Sequence, residues 1–150
     1  MDVGDNIIFK ILIIIQFLIM IYASIKDMKN KVVSIWVPGL CGMISIIKTI
    51  LDLLNGDLEP TNIVLSLIPG LLLIIMSFMT SGGIGSGDGI VLLAIGPLFG
   101  LEKIYGGVLL AFAFCSLMSI FLLATKRANK QTHLPFIPFI TLGMGVILFA

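Results

Sequence analysis

The sequence predicts an all-α integral membrane protein: a polytopic bundle of six transmembrane helices with a glycine-rich loop on its cytoplasmic side. Three observations predict it. The chain is 59% hydrophobic and 11% charged, with a mean hydropathy of +1.20, whereas soluble domains are roughly half apolar and about a quarter charged. Its apolar residues gather into long runs, and a membrane span takes about 20 such residues. The lysines and arginines between the runs are shared unevenly, which orients the chain.

Taken in order, residues 7–25 make the first span, with Lys10 able to snorkel near its start. Lys26-Asp27-Met28-Lys29-Asn30-Lys31 reads as a polar loop. Residues 32–54 make the second span and 63–79 the third, separated by an acidic loop. The glycine loop follows, then an apolar run at 90–101, a turn at Glu102-Lys103, a fifth span at 104–124, a basic loop and a last span at 134–150. Six spans put both termini on one side. Lys26, Lys29, Lys31, Lys126, Arg127 and Lys130 fall on the other side, which the positive-inside rule makes cytoplasmic. That implies a multi-pass protein of the cytoplasmic (inner) membrane. Trp36 and Tyr105 read as interfacial anchors, and Gly96 and Gly100 as a close-packing helix face.

Composition also excludes. The 150 residues fit one membrane domain, residues 1–150, and a net charge of +1 makes no case for nucleic acid. The partner that composition implies is the lipid bilayer. Cys41 and Cys115 sit in apolar runs and read as small core residues; no metal or cofactor pattern is present. No small-residue cleavage site precedes Lys26, so the first span is expected to be retained.

Chemistry concentrates in Ser81-Gly82-Gly83-Ile84-Gly85-Ser86-Gly87-Asp88-Gly89, five glycines in nine residues. Glycine disfavours a helix interior and permits irregular backbone that another chain can approach closely. The run at 90–101 reaches only about 20 Å of a roughly 30 Å hydrocarbon core. The loop therefore dips below the cytoplasmic surface, where irregular backbone must be buried or line a wet cavity. Asp27 and Asp88 are the two acids on that side. Two close carboxylates share one proton, so one can activate a water while the other polarises a peptide carbonyl. Asp88, at a helix start, favours the base role. The plainer readings are that Asp27 balances its neighbouring lysines in a solvated loop and that Asp88 is a helix cap. Gly70, within the third span, carries no such signal.

These residues resemble the type IV prepilin peptidase family, membrane aspartic proteases. Gly83-Ile84-Gly85-Ser86-Gly87-Asp88, with Leu92, Ala94, Gly96 and Gly100, resembles the family's G-x-G-x-G-D block and its tail. Asp27 with Val33-Ser34-Ile35 resembles D-x5-I-P-N, and residues 134–143 resemble P-F-x-P-F-L-x-x-G. The resemblance implies that Asp27 and Asp88 are the catalytic pair. It implies that Gly83, Gly85, Gly87, Pro135, Phe136 and Pro138 contact substrate. That substrate would be a prepilin or pseudopilin, cut between a short basic leader and an apolar helix, without a cofactor. The chain departs from the pattern at Ile90, where the family has Lys, at Ser34, where it has Pro, and at Ile137, where Gly is common. It lacks the zinc-binding cysteine segment of longer members and so resembles the short, core-only form, with N-methylation left open. The alternatives from other classes are a small ion-coupled transporter and an inactive pilus-assembly relative.

Overall fold

The computed structural model describes residues 3–30, 36–80, 85–125 and 135–149. These form five helices: α1 (Val3–Asn30), α2 (Trp36–Asn55), α3 (Pro60–Met79), α4 (Ser86–Ala124) and α5 (Ile137–Phe149). Four of them, α1 to α4, are long and apolar enough to cross a membrane. Their outward faces carry large apolar side chains such as Ile14, Leu18, Ile46, Leu72 and Leu109. Exposed apolar surface on this scale calls for lipid as the surrounding medium.

The six-span expectation does not hold. The runs at 90–101 and 104–124 are two arms of α4 on either side of a sharp break, the first arm, 86–99, is short, and α5 has only 13 residues. A straight helix of the length of α4 would extend about 58 Å at ~1.5 Å per residue, almost twice a hydrocarbon core. It is broken at Gly100, whose φ of 74° and ψ of 175° lie in a region that only glycine adopts readily. Gly100 is thus the corner of α4, and it turns beside Asn62 of α3. The Leu101 N–H, freed by the break, donates to Asn62 Oδ1 at 2.7 Å. The arm 86–99 runs antiparallel to α3, since Gly89 meets Ile74, Gly96 meets Ser66 and Gly100 meets Asn62. The arm 101–124 turns back, and the Tyr105 hydroxyl donates to Leu65 O at 3.3 Å. Tyr105 is therefore tied to α3 backbone, beyond the anchor role its sequence position suggests.

Small residues set how closely these helices pack. A Cβ on Gly96 would stand 2.5 Å from Ser66 O, and one on Gly89 3.0 Å from Gly70 O. On the second arm, Gly107 lies against Met144 and Gly143 against Gly107 and Ala111, which seats α5. Helix α5 also runs antiparallel to α1: Thr141 Oγ1 donates to Met20 O at 3.3 Å, and Phe149 meets Phe17 edge-on at 5.5 Å. Helix α2 closes the other flank, where Ser45 Oγ donates to Ala94 O. The end of the bundle at the start of α1 gathers Lys48, paired with Asp52, and Lys103. Both ammonium groups lie within 6 Å of the Phe9 ring centre, at 5.8 and 5.7 Å.

Gly70 is part of this packing, against the sequence reading. A Cβ there would stand 2.6 Å from Leu93 N and 2.9 Å from Gly89 O, both backbone atoms that cannot step aside. Gly70→Ala should therefore cost about 1–3 kcal/mol. Gly42→Ala, whose Cβ would meet Ala94 Cβ at an ordinary 4.0 Å, should stay within about 0.5 kcal/mol. Thermal midpoints in detergent measure the difference, and equal midpoints would contradict this account of the α3–α4 contact.

Candidate active site

Asp27 lies within helix α1, not in a loop, because α1 continues through the lysine-rich segment to Asn30. Helical spacing explains how a charged stretch accomplishes this. Gln16, Met20, Ala23 and Asp27 recur at intervals of three and four, and all four are buried. Lys26 and Lys29 fall on neighbouring faces, half-buried and exposed, where their ammonium groups can reach polar surroundings. Asp27 is only 5% exposed, so the solvated-loop reading does not describe it. Its carboxylate lies beside the backbone N–H of Ile137. Ile137 is the first residue of α5, and its N–H is one of the donors that a helix start leaves without an internal partner. An aspartate of one helix thereby caps another.

Asp88 sits in the first turn of α4 and is 7% exposed. The helix begins at Ser86, earlier than the glycine content suggests, so Gly87 and Gly89 are helical. Gly85 is the N-cap, in extended conformation, and the Asp88 N–H donates to its carbonyl at 3.2 Å. The Asp88 carboxylate folds back over Gly85: a Cβ there would lie 2.9 Å from Asp88 Oδ2. An acid in this position suits the positive end of the helix dipole.

The two carboxylates lie toward the same end of the bundle. Asp27 and Asp88 lie within electrostatic reach of one another, and Cys115 of the second arm lies within reach of Asp88. The last turns of α1, the first turn of α4 and the start of α5 therefore share one end of the bundle. Oδ2 of Asp27 is buried and finds no hydrogen-bond partner among the described residues.

The sequence profile of the type IV leader peptidase family matches residues 14–123, a segment holding both aspartates and the break at Gly100. The chain belongs to that family. Membership implies peptidase activity and, with the apolar helices, a membrane setting for a protein substrate. A comparison with curated proteins found no match, and neither did a comparison with solved structures.

The remaining residues that the leader peptidase resemblance singles out are distributed unevenly. Gly83 lies outside the described residues. Gly85 is exposed and Gly87 half-buried, both beside Asp88. Pro135 and Pro138 are half-buried around the start of α5. Phe136 is buried; its ring packs on Phe112 at 5.1 Å, and its carbonyl accepts from the N–H groups of Phe139 and Ile140. The proline-phenylalanine block thus seats α5 and aims the Ile137 N–H at Asp27. Sequence reasoning missed that donor, because a backbone N–H has no letter of its own. The signal was there in Pro138, a residue that favours the first turn of a helix.

The cap makes a prediction about stability. Asp27→Asn keeps an acceptor for the Ile137 N–H and should melt close to the parent protein. Asp27→Leu leaves that buried donor unpaired and should cost about 1–3 kcal/mol. Thermal midpoints of the two variants in one detergent are the measurement, and a Leu variant as stable as the Asn variant would show that α5 does not depend on this bond.

Proposed function

We propose that this protein is a membrane-embedded aspartic endopeptidase that removes the short basic leader from a prepilin or pseudopilin at the cytoplasmic face of the inner membrane. The observation that carries the reading is the meeting of Asp27 and Asp88, two buried carboxylates from separate helices, at one end of an apolar bundle. Acids so placed are costly within a membrane protein and mark function. Family membership supports proteolysis as that function.

In the proposed mechanism the pair holds one proton between them. The ionised carboxylate takes a proton from a water molecule, and the oxygen attacks the scissile carbonyl. The protonated carboxyl donates to that carbonyl oxygen as it gains charge. Collapse of the tetrahedral intermediate breaks the C–N bond, and a proton passes from the pair to the leaving amine. The Ile137 N–H keeps Asp27 in one orientation throughout. Gly85 and Gly87 leave the approach to Asp88 free of side chains, so an extended substrate backbone can come close. Pro135, Phe136 and Pro138 contribute by holding α5 in place. Cleavage at this end of the bundle suits a substrate whose apolar helix continues into the bilayer.

Co-expression with a candidate prepilin tests the reading on a gel. Asp27→Asn and Asp88→Asn should each abolish leader removal. The double variant should be no worse, since residues acting as one unit are not additive. Near-normal cleavage by either single variant would end the two-aspartate mechanism. An ion-coupled carrier predicts that neither change affects processing.

Orientation has its own test. Asp57, exposed between α2 and α3, should face outward, and Lys29, near Asp27, should face the cytoplasm. A membrane-impermeant maleimide should label Asp57→Cys in intact cells and Lys29→Cys only after lysis. The opposite pattern would invert the protein.

A further inference from the structure

A groove of about 530 Å³ runs between α1 and α2, and neither Asp27 nor Asp88 lines it among the described residues. Its walls are apolar: Ile15, Leu18 and Ile19 from α1, Val37 and Leu40 from α2. One end is different in kind. Lys26 lines it, flanked by Tyr22 and Trp36, which are 61% and 77% exposed. Lys29 follows one helical turn later and is also exposed. Among the described residues no acidic side chain lines the groove. Asp27, next in sequence to Lys26, is turned inward and already engaged by Ile137.

We propose that this groove is a binding site for an anionic phospholipid, with one acyl chain along α1 and α2 and the headgroup phosphate against Lys26. Charge complementarity selects the occupant. An apolar trough that ends on a cation between two amphipathic aromatics matches a molecule that is apolar along its length and negative at one end. Aromatic residues of this kind favour the headgroup level of a bilayer. Basic pockets between membrane helices hold anionic headgroups for the same reason. A zwitterionic lipid fits the trough equally well but gains less at Lys26. The expected preference for the anionic lipid is roughly fivefold for one lysine near the surface.

The chain provides its own probe, because Trp36 is its one tryptophan and stands on the rim of the groove. The full-length protein is reconstituted into vesicles containing dibrominated phosphatidylglycerol or dibrominated phosphatidylcholine of the same chain length. Quenching of Trp36 is followed against the mole fraction of brominated lipid. Phosphatidylglycerol should reach half-quenching at about a fifth of the mole fraction that phosphatidylcholine needs. Lys26→Gln should bring the two curves together, while Lys26→Arg should keep them apart. Continued quenching of Lys26→Gln by phosphatidylcholine shows that the variant is inserted and its groove open. Coincident curves in the parent protein, or a preference that survives Lys26→Gln, would overturn the proposal. So would a Trp36 that neither lipid quenches, since the groove would then be covered by protein. The readout is lipid contact and not cleavage, so its outcome is independent of the peptidase assignment.

Discussion

The close approach of α3 to the first arm of α4 governs the rest of the molecule. Lipid tails are as apolar as the side chains they touch, so helices in a bilayer gain little by hiding leucine from them. What holds them is packing, and packing is tightest where no side chain intervenes. Gly70, Gly89 and Gly96 provide such places, with backbone facing backbone. Gly89 is the neighbour of Asp88. The contact that fastens the arm to α3 therefore also fixes the height at which the Asp88 carboxylate enters the bundle.

The second consequence is a division of labour. Asp88 is carried by the first arm of α4, held by α3 and by the Ser45 bond from α2. Asp27 is carried by α1, held by α5 through Ile137 and Thr141. The second arm of α4 packs on α5 through Gly107 and Phe112. Helix α4 thus belongs to both assemblies, and its corner at Gly100 is where one passes into the other. The spacing of the carboxylates depends on how two groups of helices meet. A side chain at Gly100 would strain the backbone there and act on the pair from the far end of the first arm of α4.

Much of this was legible in the sequence, and the failures have physical reasons. The apolar runs and the family resemblance, carried by the blocks around Asp27 and Asp88, could be read directly. The boundaries could not. Lys26 to Lys31 looks like a loop because its composition is polar, yet a helix can point two lysines outward and an aspartate inward within one turn. Gly87 and Gly89 look like helix breakers, yet tertiary contact outweighs a propensity worth about 1 kcal/mol per residue. Glu102-Lys103 looked like the turn because it is charged, whereas the chain bends at Gly100, where the backbone can. Gly70 looked inert because its partner, the backbone at Leu93, is invisible until the helices are placed side by side.

Oδ2 of Asp27 is buried and finds no hydrogen-bond partner among the described residues, and this is where the proposed function bears on stability. A buried polar atom without a partner is costly, and natural proteins hold few of them. Replacing Asp27 by an apolar residue would remove that cost but would also orphan the Ile137 N–H. Keeping the aspartate with a second donor from the protein would satisfy the oxygen and leave it nothing to offer a water or a peptide. The arrangement present avoids both. One side of the carboxylate lies by the Ile137 N–H, and Oδ2 finds no donor among the described residues. In the proposed mechanism that asymmetry suits a member of the pair, which must be steady toward the scaffold and available toward water or substrate.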